Sequence, residues 1–175
     1  MARNIEIKAR LADRTAVEAA AAALADGPAT LIGQDDTFFR CPHGRLKLRE
    51  FSPGKGELIF YQRPDASGPK ASHYEIAATD EPAGLRRVLG QALGEAGRVR
   101  KERTLYWIGR SRVHLDRVEG LGDFLELEVV LAEGEAEASG LAEARRLMAA
   151  LGVGESALVA GAYVDLLGAR PSALP

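Results

Sequence analysis

Two runs of alternating character, divided by Gly120-Leu121-Gly122, fill residues 112–130, and few folds accommodate such a segment. Successive side chains of a strand point to opposite faces. In the first run Arg112, His114 and Asp116 share one face, and Val113 and Leu115 the other. In the second, Phe124, Glu126, Glu128 and Val130 lie opposite Leu125, Leu127, Val129 and Leu131. A short glycine-containing connection between two such runs reads as a β-hairpin. One face is aliphatic, and the other carries three carboxylates, an imidazole and a guanidinium. Taken alone, the segment is an antiparallel hairpin with a core face and a wet face.

The same habit recurs along the chain. Residues 3–11 set Ile5, Ile7, Ala9 and Leu11 against Asn4, Glu6, Lys8 and Arg10. Residues 45–50 set Leu46 and Leu48 against Arg45, Lys47 and Arg49. Within 98–108, Val99, Lys101, Arg103 and Leu105 share a face. Further strands are expected over 30–40, interrupted or turned at Asp35-Asp36, over 57–63, and over 72–79 after a Gly/Pro/Ser loop at 65–71. Asp13 is placed to cap a helix reaching about Leu24, and its alanines favour helix by propensity. Asp80-Glu81-Pro82 opens a second helix, whose stripe of Leu85, Val88, Leu89, Ala92 and Leu93 is expected to pack on the core before Gly97 ends it. A third spans 133 to about 151 with Leu141, Ala144, Leu147 and Met148 inward, and Ser156 caps a fourth from Ala157 to Leu167. Roughly eight strands, mostly meander-connected, with helices inserted, make an α+β chain rich in antiparallel sheet, and about eight strands can close a barrel. The expected domain is 1–170, with a frayed tail at 171–175.

Composition narrows the function. A formal net charge of -2 gives no whole-protein case for nucleic acid, so any anion site must come from local clustering of basic residues. Cys41 is the only cysteine, which excludes an intrachain disulfide and a cysteine-based zinc cluster and fits a reducing cytosol. Apolar runs are too short to span a bilayer, and the N-terminus carries charge where a signal peptide is apolar. A cytoplasmic protein acting on neither membrane nor nucleic acid is expected.

If every charged strand face met water, each pattern would be routine. Six strands with one habit admit a second arrangement, in which the charged faces line a barrel and helices cover the aliphatic outside. An interior of that kind buries many like charges, which is tolerable only with a matching ligand. A triphosphate neutralises the lysines and arginines, and Mg²⁺ or Mn²⁺ neutralises the carboxylates and bridges to phosphate oxygens.

An ordered set of motifs resembles one family. Asn-Ile-Glu-Ile-Lys at 4–8 resembles the Glu-x-Glu-x-Lys signature of CYTH domains, the triphosphate tunnel metalloenzymes. Leu-Lys-Leu-Arg-Glu (46–50), Lys-Glu-Arg-Thr-Leu-Tyr (101–106), the 115–128 hairpin with its Gly-Leu-Gly-Asp-Phe, and Ala-Tyr-Val-Asp-Leu-Leu (162–167) follow in family order, and the branch most resembled is class IV adenylyl cyclase. The resemblance implies an eight-stranded antiparallel barrel forming a triphosphate tunnel, with helices outside and a divalent metal, Mg²⁺ or Mn²⁺. It implies Glu6, Asp116, Glu126 and Glu128 as metal ligands. Lys8, Lys47, Arg49, Arg63, Lys101, Arg103 and Arg112 are implied to hold phosphate, and Lys8, Glu6 and Glu126 to be catalytic. Glu75 is a further candidate.

Two positions depart from the family pattern. Asn4 replaces the first glutamate and removes a charge from the metal side. Gln62 stands where a tunnel lysine precedes a Gly-Pro turn, with Arg63 on the opposite strand face unless the backbone bulges. His114 shares the Asp116 face and is read as a hydrogen-bonding residue rather than a base. His43 and His73 are expected exposed beside turns, and Cys41 a small residue at a turn. The implied activity is conversion of ATP to cyclic AMP and pyrophosphate. The alternatives are hydrolysis of tripolyphosphate or thiamine triphosphate, and a module that binds triphosphate or polyphosphate without turnover. A homodimer is a family-level expectation.

Overall fold

In the computed structural model, residues 2–52 and 54–169 are described, and the expected tail at 171–175 lies outside them. In chain order the elements are β1 (Ala2–Arg10), α1 (Arg14–Leu24), β2 (Thr30–Phe39), β3 (Arg45–Ser52), β4 (Lys55–Gln62), β5 (Lys70–Thr79), α2 (Pro82–Leu93), β6 (Glu95–Ile108), β7 (Ser111–Val118), β8 (Gly122–Val130), α3 (Glu137–Ala150) and α4 (Tyr163–Gly168). A single 3₁₀ turn at Glu155–Ala157 separates the last two helices. The strands close a barrel in the order β1-β5-β4-β3-β2-β6-β7-β8, antiparallel at every pairing.

Alternation decides what faces out. Ile5, Ile7, Val113, Leu115, Leu125, Leu127 and Val129 form the aliphatic outer wall, covered by Ala144, Leu147 and Met148 of α3 and Val17 and Ala21 of α1. Burying each large aliphatic side chain contributes about 1.5–3 kcal/mol. Asp13 caps α1 as expected, its Oδ1 accepting from the Ala16 amide at 3.1 Å. Inside, the wall is charged through its middle and apolar at one end. There Phe38, Val99, Val118, Leu121, Phe124 and Tyr163 form a second cluster that seals the barrel. Phe124 and Tyr163 meet edge to face with ring centroids 5.0 Å apart.

Several elements differ from the expectation. β2 runs unbroken through Asp35-Asp36 because each carboxylate finds cations within the sheet. Asp35 faces out to Arg98 and Arg100, and Asp36 faces in to Lys47 and Arg49. β5 begins at Lys70, within the expected loop, and places His73 half-buried in the strand. α2 ends at Gly94, three residues before Gly97, which lies inside β6. Its apolar stripe is not core: Val88 is 63% and Leu93 38% exposed, and Pro82 is the helix's buried residue. The expected helix over 157–167 is divided, because residues 158–160 run over β1 and the chain turns at Gly161, whose φ is +81°. Leu158 bridges Ala9, and the Val159 amide donates to the Lys8 carbonyl at 2.9 Å. Among the described residues no helix is long and apolar enough to cross a membrane.

Candidate active site

The inward faces of all eight strands line a cavity of about 310 Å³, with Ala162 and Tyr163 at its sealed end. Among the described residues, seven cations and five carboxylates share this wall, an excess of positive charge suited to an anion.

Two parts of the wall repeat one design. On β3, Lys47 and Arg49 bracket an outward leucine, and both reach Asp36 of β2. Arg49 Nε and Nη2 donate to the two carboxylate oxygens at 2.8 Å each, and Lys47 Nζ donates to Oδ2 at 2.9 Å. On β6, Lys101 and Arg103 reach Asp116 of β7 in the same way, with Arg103 at 2.7 and 2.6 Å and Lys101 at 3.0 Å. The Tyr163 hydroxyl donates to Asp116 as well, at 3.1 Å. Each aspartate thus fixes a Lys-x-Arg pair by a bidentate bond, which orients the guanidinium plane. Burial works to raise both aspartates, but the Arg49 and Lys47 charges hold Asp36, and those of Arg103 and Lys101 hold Asp116, well below the usual carboxylate range. Burial, reinforced by Arg49, pulls the Lys47 ammonium down to about 8.

The remaining charges form a belt across β8 and β1. Glu126 pairs with Lys8 at 3.2 Å and contacts Arg103; Arg112 Nη2 reaches Glu128 at 2.7 Å; Arg63 contacts Glu6. Lys8 and Arg63 also donate to the Gly161 carbonyl at 3.1 and 2.9 Å, and Lys8 sits 3.9 Å above the Tyr163 ring. The turn at Gly161 before α4 therefore holds two cations of the site. Burial lowers Lys8 to about 8 against the pull of Glu126. Glu6 is raised by burial, which outweighs Arg63. For Glu126 burial is overcome by Lys101, Lys8 and Arg103, leaving it well below its usual range. Burial, reinforced by Arg103, pushes the His114 imidazole down to about 3, so it is neutral at pH 7.

The structure therefore brings together, on one wall, nearly every residue expected there. Arg63 needs no bulge: Glu57, Ile59, Tyr61 and Arg63 share the inner parity, and Gln62 faces out. Asp116 is fully buried behind the wall and engaged by Lys101, Arg103 and Tyr163. Glu75 is exposed and does not line the cavity. His43 is exposed, and Cys41 contacts its carbonyl. Asn4 is buried in the wall, and its Oδ1 lacks a partner among the described residues. His114, read as a hydrogen-bonding residue, shows no hydrogen bond to Nδ1 among the described residues. Sequence reasoning missed Asp36, Tyr61 and Tyr163. The repeated Lys-x-Arg at 47–49 and 101–103 was a signal that each pair needs a counter-ion, but strand pairing alone identifies it.

The donor chemistry fits a divalent cation. Glu126 and Glu128 offer oxygens, and ligand atoms of His114, Glu126 and Glu128 lie within 4.8 Å of one another. Neither Glu6 nor Asp116 belongs to that group.

Comparison with known proteins places the geometry in context. The CYTH domain family model matches residues 2–163. Adenylate cyclase CyaB of Aeromonas hydrophila is 31% identical over 139 residues, covering 73% of this chain and 69% of that protein. The PH1012 protein of Pyrococcus horikoshii shares the fold with a TM-score of 0.82 at 22% identity, over 93% of this chain and 98% of its own. So does the Hippeastrum protein HpAC1, described as a candidate adenylyl cyclase with a dominant triphosphatase activity. Its TM-score is 0.64 at 18% identity, over 97% of this chain and 98% of its own.

Proposed function

This chain belongs to the CYTH domain family, and we propose that it is a divalent-metal-dependent enzyme acting on triphosphorylated small molecules, converting ATP to cyclic AMP and pyrophosphate. One observation carries the reading. The carboxylates Glu6, Asp36, Asp116, Glu126 and Glu128 are each engaged by a lysine or arginine. A site so neutralised binds an anion or a cation alone less strongly than it binds the two together. A triphosphate with its metal replaces both halves at once, taking the cations from the carboxylates and giving the carboxylates a new counter-ion.

In this reading the Lys47–Arg49 and Lys101–Arg103 pairs grip the phosphate chain from opposite sides, with Lys8, Arg63 and Arg112 completing the cradle. Their donors face charge that grows on the departing pyrophosphate as the ribose 3′ hydroxyl attacks the α-phosphorus and gives up its proton to water, and a preorganised donor array stabilises that charge without reorganising. Glu126 and Glu128 hold the metal, with Glu6 on the next strand, and Asp116 serves as the fixed counter-ion of the β6 pair. When bound, the ion polarises a phosphoryl oxygen and offsets its charge. Tyr163 and Phe124 close one end, so the substrate enters from the other and keeps its organic group outside the sealed end.

A second reading is hydrolysis. Lys8, brought down to about 8, is partly neutral in mild alkali and can accept a proton from an attacking water. The test is product analysis with pure protein, Mg²⁺ or Mn²⁺, and ATP, tripolyphosphate or thiamine triphosphate in turn. Cyclic AMP with pyrophosphate supports the cyclase. Orthophosphate replaces it with the triphosphatase. Tight binding without either product marks a non-catalytic binder and removes both.

A further inference from the structure

His114 and Glu126 face each other directly across β7 and β8, and Glu128 follows two residues along β8, opposite Arg112. All three side chains point into the cavity. One ligand-capable atom of each lies within 4.8 Å of the other two. Atoms bound to one metal at bond lengths near 2.1 Å are separated by at most about 4.2 Å. Closing the trio around an ion therefore takes a small rotation of two glutamate side chains.

The imidazole is the informative member. His114 is 4% exposed, and its Nδ1 has no hydrogen-bond partner among the described residues. A buried polar atom left unpaired costs about 1–3 kcal/mol and calls for an explanation. The neighbours of His114 along the wall are charged side chains that already have partners. Glu126 is held by Arg103 and Lys8, and Glu128 by Arg112. What the wall lacks is a partner for a ring nitrogen that also suits two carboxylates.

We propose that His114, Glu126 and Glu128 form a mixed nitrogen–oxygen site for a divalent first-row transition cation, of the Mn²⁺, Co²⁺ or Zn²⁺ class, and that His114 sets its preference over Mg²⁺. The inference rests on the proposed metal-dependent function and adds the ligand that decides which metal. Mg²⁺ demands oxygen donors and gives up its waters reluctantly. Imidazole suits the transition ions, whose affinity for such donors rises along the first row. An all-carboxylate wall would accept Mg²⁺ readily, and one nitrogen in three protein ligands tilts the balance away from it.

The test uses the full chain freed of metal with a chelator. Binding of Mn²⁺ and of Mg²⁺ is measured without substrate, and the Mn²⁺-loaded protein is examined by pulsed electron paramagnetic resonance for coupling to ¹⁴N. The wild type is expected to bind Mn²⁺ about tenfold or more tighter than Mg²⁺ and to show ¹⁴N coupling. In His114→Phe the coupling disappears and Mn²⁺ affinity falls about tenfold or more, while Mg²⁺ affinity changes less. His114→Gln, of similar polarity, serves the same comparison if the phenylalanine variant does not fold, with far-ultraviolet circular dichroism as the check. Tight Mn²⁺ binding without ¹⁴N coupling overturns the role of His114 and leaves the metal-dependent function standing. An unchanged Mn²⁺ to Mg²⁺ ratio in the variants does the same. No binding of either ion overturns the site, and turnover of triphosphate in the presence of chelator separately overturns metal dependence.

Discussion

Asp36 and Asp116 show at the level of single residues how a wall of cations is kept folded before any ligand arrives. Each takes a bidentate arginine and a lysine, so charges that would otherwise repel are fixed in place. Asp36 lies well below its ordinary range when folded. Such a group contributes stability that is present above the unfolded value of 3.8 and lost as pH falls toward the folded value. Asp36→Asn leaves Lys47 and Arg49 buried without their counter-ion, and breaking such a pair costs about 3 kcal/mol. The expected result in urea denaturation is a loss of that order, and in thermal melts a gap from wild type that narrows when tripolyphosphate is added. A gap that stays constant would mean that Asp36 does not balance the charges the anion meets. Lys47 makes the opposite kind of prediction. Its folded value, about 8, lies below the model-peptide value of 10.5, so it is charged at pH 7 and neutral above about 8. Tripolyphosphate affinity, measured without metal, should therefore weaken as pH rises from 7 to 9. Lys47→Met should bind more weakly at pH 7 and show a shallower decline, and a decline of unchanged steepness would remove Lys47 from the phosphate cradle.

Secondary-structure elements act here by what they cover and how closely they approach. α3 lies against β1 and β8 only because residue 140 has no side chain. A Cβ there would stand 2.6 Å from Leu131 Cδ2 and 2.7 Å from Ile5 Cγ1. Gly140→Val should therefore destabilise the protein by about 1–3 kcal/mol in urea titration, since overpacking costs that much and α3 covers the outer wall of the charged strands. A neutral result would show that α3 can lift without cost. The non-helical segment 158–162 has a different task. By pairing with β1 and lending the Gly161 carbonyl to Lys8 and Arg63, it makes the C-terminal region part of the site wall rather than one more covering helix.

At the scale of the whole molecule, barrel closure makes ligand and metal interdependent. Because carboxylates and cations neutralise each other across the cavity, filling one set releases the other. Tripolyphosphate with Mn²⁺ should raise the melting temperature by more than the sum of the two separate shifts, read by scanning calorimetry. Glu126→Gln should abolish the excess, and strictly additive shifts would mean that the two do not exchange partners. Much of this molecule was legible in its sequence. Strict alternation in residues 3–11, 45–50 and 112–130 separated an aliphatic face from a charged one, and period-two patterning is local, so it survives without knowledge of the neighbours. Helix caps such as Asp13 were legible for the same reason. Properties that belong to pairs of distant strands were not. The partner of Lys47 and Arg49 is an aspartate that looked like a strand break, because a carboxylate is turn-forming or sheet-forming according to the cations across from it. The stripe on α2 predicted burial and meets solvent, since amphipathicity states what a face can cover but not whether anything lies beneath it. The sequence by itself determined which side chains share a face and which charges must be neutralised. The tertiary structure decided which carboxylate neutralises which cation, and it left one buried imidazole nitrogen beside two glutamates, because only barrel closure sets distances between strands far apart in the chain.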